Sequence, residues 1–174
     1  MRLFTAINFG EKTIEKIEML QDVLKAGSSR GNFTPRKNMH LTLVFIGECD
    51  ERQTDEIKSA IGEIVFWPFQ IQITGTGYFA RGEGGIWHAK VAPCRELSCV
   101  QSELARRIRA LGHKIDGREY APHITFGREV ITKLQPTGVK PFGETVAQID
   151  LMKSERVAKE LVYTGIFGVE AKAL

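Results

Sequence analysis

Two histidines in this sequence are each followed, two residues later, by a threonine: His40-Leu41-Thr42-Leu43 and His123-Ile124-Thr125-Phe126. The histidines stand 83 positions apart in a chain of 174, close to half its length. An imidazole with an ordinary pKa near 6.5 takes up or releases a proton at neutral pH, so a pair can divide the roles of base and acid. That division suits in-line displacement at phosphorus, where one group takes a proton from the attacking oxygen and the other protonates the departing one. A hydroxyl beside each imidazole can donate to a nonbridging phosphate oxygen and hold the phosphorus between the two rings. The chemistry needs no metal: carboxylate-bearing metal motifs are absent and His-x-Thr is a poor ligand set.

On a β-strand, side chains at i and i+2 leave by the same face, so each motif presents its His and Thr together while the apolar residues pack behind. Arg128, five residues after His123, is a candidate phosphate fork. Strict alternation points it away from His123, so that role requires a bulge or a strand end near Gly127; the alternative is a solvated strand-terminal arginine. The first motif has Phe45 at the equivalent place. Phe9, Trp87 and Tyr120 could stack on a base or fill the core. His88 and His113 have no matching pattern and are assigned structural or surface roles.

The elements that position the motifs follow from periodicity. Leu3 to Phe9 is a short apolar run and a first strand. Glu11 to Ala26 places Ile14, Ile17, Leu20 and Leu24 at helical spacing, and Gly27-Ser28-Ser29-Arg30-Gly31 ends that helix as a loop. The first motif strand spans Met39 to Ile46. Asp50 with Gln53 resembles a capping box opening a second helix through Ile57, Ile61 and Ile64, and Pro68 stops it. Phe69 to Tyr78 and Ile86 to Ala92 read as strands joined by a hairpin turn at Arg81-Gly82-Glu83-Gly84-Gly85. That glycine cluster is no phosphate cradle, because no helix signal follows it. From Glu96, Leu97, Val100, Leu104, Ile108 and Leu111 mark a third helix, and the second motif strand spans Tyr120 to Arg128. Thr132 to Gly143 reads as a loop, and Glu144 to Lys153 with Glu160 to Val169 as an antiparallel pair.

Strand, helix, loop and motif strand thus recur in one order, and the strand starts Leu3 and Ile86 are again 83 apart. The pattern predicts an α+β chain formed by duplication: one unit of two similar lobes over residues 1–174, with two antiparallel sheets, outer helices and a central cleft.

Composition narrows the function classes. A 43 % hydrophobic chain of this length buries a sizeable core. The net charge of +3 is scattered, which suits a phosphate-bearing ligand without the clustered footprint of a long nucleic-acid site. Cys49, Cys94 and Cys99 lack zinc or redox spacing and are expected as reduced thiols. The N-terminal apolar run meets Asn8 and Glu11 too early for a signal segment and no run is long enough to span a membrane, so a cytoplasmic protein is expected. Nothing demands more than a monomer.

The residues from Asn38 to Glu48 and from Ala121 to Arg128, with the two His-x-Thr-x motifs inside them, resemble the two-histidine phosphoesterase superfamily. The nearest branch is the RNA 2′,3′-cyclic phosphodiesterases, long labelled 2′-5′ RNA ligases; Arg2-Leu3-Phe4-Thr5-Ala6-Ile7 and Leu151-Met152-Lys153-Ser154 share the likeness. The resemblance implies a bilobal fold with pseudo-twofold symmetry and a metal-independent, cofactor-free hydrolysis of 2′,3′-cyclic phosphate to a 2′-phosphate. It makes His40 and His123 the catalytic pair, with Thr42 and Thr125 binding phosphate and Arg128 assisting. Breaking the bond to O3′ assigns His40 as the acid and His123 as the base. The implied partners are RNA 3′ ends bearing the cyclic phosphate, tRNA fragments among them, or small cyclic nucleotides. Two other readings remain: ligation of 2′-phosphate and 5′-hydroxyl RNA ends by the reverse chemistry, and a noncatalytic RNA-end or nucleotide-binding protein, which would be expected to have lost a histidine.

Overall fold

A computed structural model of the chain describes residues 1–173, among which nine strands and three α-helices form. The apolar run at the start becomes β1 (Arg2–Asn8), and α1 spans Glu11–Ala26, the bounds its periodicity predicts. The polar stretch after it, expected as a loop, is instead β2 (Ser28–Phe33). A single 3₁₀ turn at Arg36–Asn38 leads into β3 (His40–Glu48). The capping box opening α2 (Glu51–Gly62) is real: Gln53 N–H donates to Asp50 Oδ1 at 2.8 Å, and Asp50 N–H donates back to Gln53 Oε1 at 2.9 Å. Then follow β4 (Phe69–Arg81), a tight turn, β5 (Gly84–Val91), α3 (Arg95–Ala110) and β6 (His123–Thr132). The chain closes with β7 (Gly138–Val146), β8 (Gln148–Val157) and β9 (Glu160–Glu170).

Two antiparallel sheets result, one of four strands in the order β3-β1-β8-β9 and one of five in the order β2-β6-β5-β4-β7. The duplication is visible in the pairing, since β1 pairs with β3 as β5 pairs with β6. Each motif histidine opens its strand, His40 facing Asn8 on β1 and His123 facing Lys90 on β5.

Both corrections to the strand assignment fall at the two edges of the five-stranded sheet. Edge strands expose one side to water, so their backbone pairing does not require an apolar pattern, and β2 forms from Ser28-Ser29-Arg30-Gly31-Asn32-Phe33 on that basis. The segment Thr132 to Gly143, read as a loop for its prolines and glycines, holds the first half of β7; Pro141 is accommodated because an edge strand has donors it need not use. The strand expected over Glu144 to Lys153 is correspondingly divided between β7 and β8.

The helices pack across the duplication. Helix α1 lies against β2, β6 and β7 of the five-stranded sheet, whereas α3 lies against β3 of the other sheet and against β4. Gln21 on α1 donates to the Phe126 carbonyl of β6 at 2.8 Å, and a β-carbon at Gly127 would come within 3.3 Å of the Leu24 side chain. Each helix therefore covers the motif strand of the opposite half. The apolar residues between the motif residues supply the buried side: Leu41, Ile124 and Phe126 are fully buried, in one contiguous core with Ile17, Leu97, Leu104 and Ile108. Cys49, Cys94 and Cys99 are free thiols. No described helix is long and apolar enough to cross a membrane.

Candidate active site

Burying Leu41 and Ile124 turns their neighbours His40, Thr42, His123 and Thr125 to the opposite face of their strands, where all four line a single cleft of about 560 Å³. That volume lies in the range of small-ligand sites. Phe33, Asn38, Arg128, Leu161 and Tyr163 contribute to the same walls, so the cleft draws on both sheets.

The two imidazoles are held by the same backbone device. His40 Nδ1 lies 2.8 Å from the Asn38 carbonyl oxygen and His123 Nδ1 lies 2.6 Å from that of Ala121, in each case two residues upstream. A carbonyl oxygen only accepts, so Nδ1 carries the proton in both rings and Nε2 holds the lone pair. In the second motif Pro122 helps set this geometry by biasing Ala121 to extended backbone. In the first, Asn38 is itself buried and anchored, its Nδ2 donating to the Leu161 carbonyl on β9 at 2.8 Å. The Thr42 hydroxyl donates to His40 Nε2 at 2.9 Å.

Aromatic rings frame each histidine. Phe4 and Tyr163 flank His40 at centroid distances of 5.0 and 5.1 Å. His123 contacts Phe79 and His88, both at 5.2 Å, and Phe79 stacks on His88 at 4.3 Å. The desolvation that follows lowers the pKa of both motif histidines below the ordinary value, opposed by the bond to the upstream carbonyl, and the Arg128 guanidinium lowers both further. Lowered in this way, both pKa values favour the neutral ring at pH 7.

Arg128 reaches the cleft through a bulge. Along β5 and β6, His88 pairs with Thr125 but the adjacent Trp87 pairs with Gly127, so Phe126 is an extra residue on β6. Phe126 and Gly127 are consecutively buried, the alternation is reset, and Arg128 emerges on the cleft side. It makes no ion pair among the described residues, which leaves a full positive charge for an anion.

Of the other residues singled out in the sequence, Trp87 is buried in the core and Phe9 and Tyr120 pack against it. Tyr120 also ties the halves together, its hydroxyl donating to the Thr42 carbonyl at 3.0 Å. His88 is buried as a structural residue would be, yet it touches a motif histidine. Sequence reasoning missed Asn38, Tyr163, Phe79 and the His88 contact. The only signal was positional, for Asn38: it stands two residues before one motif as Ala121 stands before the other. Among the described residues, no group of three or more His, Cys, Asp or Glu is placed to hold a metal ion.

Fold and site together define a duplicated α+β protein in which each half contributes one His-x-Thr strand to a shared cleft. Residues 10–156 match the model of the 2′-5′ RNA ligase superfamily, and the chain belongs to that family, as the two motifs implied. A curated RNA 2′,3′-cyclic phosphodiesterase of Thermus thermophilus is 31 % identical over 178 residues, covering 94 % of this chain and 87 % of that one. Another from Methanothermobacter thermautotrophicus is 27 % identical over 179 residues, covering 94 % and 95 %. Among solved structures, that of E. coli LigT complexed with 3′-AMP superposes with a TM-score of 0.87 over 99 % of this chain and 98 % of that one, at 21 % identity. That likeness establishes the shared two-sheet fold.

Proposed function

We propose that this cleft hydrolyses the 2′,3′-cyclic phosphate at the 3′ end of an RNA to a 2′-phosphate, without a metal ion, with His123 as base and His40 as acid. Two imidazoles clamped by matching carbonyls, each keeping Nε2 for the cleft and sharing it with an unpaired arginine, are the arrangement this displacement requires. The RNA 2′,3′-cyclic phosphodiesterases among the relatives support the choice of substrate.

The cyclic diester enters as a monoanion. Its charge opposes the desolvation and the Arg128 field that keep the histidines neutral, and so favours proton uptake on one of them. Once His40 is protonated its Nε2 no longer accepts, and the Thr42 hydroxyl is released to donate to a nonbridging oxygen. Thr125 serves the other side of the phosphate and Arg128 stabilises the charge that accumulates on its oxygens. Water attacks phosphorus opposite O3′ and gives its proton to His123 Nε2. The bond from phosphorus to O3′ breaks, and His40 Nε2 supplies the proton to O3′. A 2′-phosphate and a free 3′-hydroxyl leave, and exchange with solvent resets the pair. Each proton transfer contributes about 10²- to 10⁴-fold.

Phosphorus NMR of the protein with a nucleoside 2′,3′-cyclic phosphate in excess EDTA tests the proposal. Appearance of the 2′-monophosphate alone is expected. A 3′-monophosphate product, or turnover abolished by EDTA, would contradict it.

A further inference from the structure

Beside the cleft lies a second hollow, also about 560 Å³, and the two share Asn32 and Arg128 as a common wall. Two sequence features without a catalytic part to play meet there: Arg30 in the polar stretch after α1, and Arg81 at the start of the glycine-rich hairpin. Arg30 and Asn32 both line the hollow from β2, across a register irregularity between them, with Asn32 paired opposite Arg128. The hairpin is seated tightly on β6, since a β-carbon at Gly84 would meet the backbone of Glu129 at 2.6 Å. Glu129 itself adopts a left-handed φ of 52°, and that close seating brings Arg81 beside the Arg128 bulge.

We infer that this hollow is a subsite for the phosphate next upstream of the reacting end, gripped by Arg30 and Arg81, so that the protein selects a polynucleotide over a mononucleotide. The inference rests on the cyclic-phosphate reading above and adds the chain-length selectivity of its substrate. Arg30, Arg81 and Arg128 all line the hollow, are exposed, and make no ion pair among the described residues. Two carboxylates are also present. Glu129 accepts a bond from Asn32 Nδ2 at 2.6 Å, and Glu83 sits at the hairpin tip; neither pairs with an arginine, so a net positive charge faces a ligand. The hollow adjoining the cleft on another side, through Pro35 and Lys37, is unsuited to the same task. Its Arg36 is already paired with Glu11 and Glu18, and Lys37 is paired with Glu160. A strand whose terminal phosphate lies between the imidazoles therefore meets free guanidinium groups on the Arg128 side alone.

The test compares kcat/KM on a nucleoside 2′,3′-cyclic phosphate and on a short oligonucleotide ending in the same group, for the wild type and for the double variant Arg30→Ala/Arg81→Ala. Both residues are exposed, so folding is not at issue. The wild type is expected to prefer the oligonucleotide, and the variant to lose about tenfold on it through KM while keeping its mononucleotide rate. The salt dependence of log KM for the oligonucleotide should fall by about 0.7 for each phosphate contact removed. The charge-reversed pair Arg30→Glu/Arg81→Glu should lose more on the oligonucleotide alone. Equal wild-type efficiency on both substrates, or equal losses on both in the variants, would overturn the subsite and leave the hydrolytic reading standing. No wild-type turnover of either substrate would instead remove the reading beneath it.

Discussion

The imidazole of His88 lies against that of His123 with ring centroids 5.2 Å apart, on neighbouring strands where His88 pairs with Thr125. Burial, reinforced by the proximity of His123, pushes the His88 pKa down to about 4. The ring is therefore a neutral wall beside His123 around pH 7. In the unfolded chain it titrates near 6.5, so the unfolded state binds more protons between the two values. His88 stability is present in full above pH 6.5 and is lost as the pH falls toward 4; the lowered pKa values of His40 and His123 act in the same direction. Denaturant midpoints measured from pH 7 to pH 4 should fall steadily, and less steeply in a His88→Phe variant. A flat wild-type curve would refute the assignment.

The motif histidines, both with lowered pKa values, should respond to an anion. Inorganic phosphate should raise the NMR-detected pKa of His40 and His123 and leave the ring signals of His113, which does not line the cleft, in place. Equal movement of all would mean that phosphate does not bind between the two rings.

Arg128 depresses both of those pKa values. Arg128→Gln removes that field, so the acid limb of the kcat/KM profile should move to higher pH, and the rate at its optimum should drop by about 10²-fold with the lost stabilisation of phosphate oxygens. A rate loss with an unmoved acid limb would assign Arg128 to binding alone.

The clamps depend on what lies behind them. Phe126→Ala empties a fully buried site beneath the bulge and should cost about 3–5 kcal/mol in chemical denaturation. Tyr120→Phe removes the bond to the Thr42 carbonyl and should cost about 1 kcal/mol. A larger loss in turnover than in stability for Tyr120→Phe would show that this bond also holds the first motif in position.

Where local chemistry decides the backbone, the sequence was readable. Ile14, Ile17 and Leu24 marked α1, Asp50 and Gln53 announced α2, and the repeated His-x-Thr pattern located both walls of the cleft and the duplication behind them. The unread parts depend on strand register and tertiary pairing. Neither β2 nor β7 carries an apolar pattern, because edge pairing supplies what the pattern would have. The placement of Arg128 turns on an unpaired Phe126, which exists only relative to β5. The contact of His88 with His123 and of Tyr163 with His40 likewise follows from register, so residue type and spacing left them as ordinary strand residues. The packing of each helix on the other half's motif strand had no signal in either helix.

The paired action of the histidines is tested most directly by the turnover of a 2′,3′-cyclic nucleotide by His40→Ala, His123→Ala and the double variant, each confirmed as folded. If the rings work as one acid–base unit, each single variant should lose about 10²- to 10⁴-fold in kcat and the double variant little more than the worse single. Wild-type turnover in either single variant would contradict the mechanism.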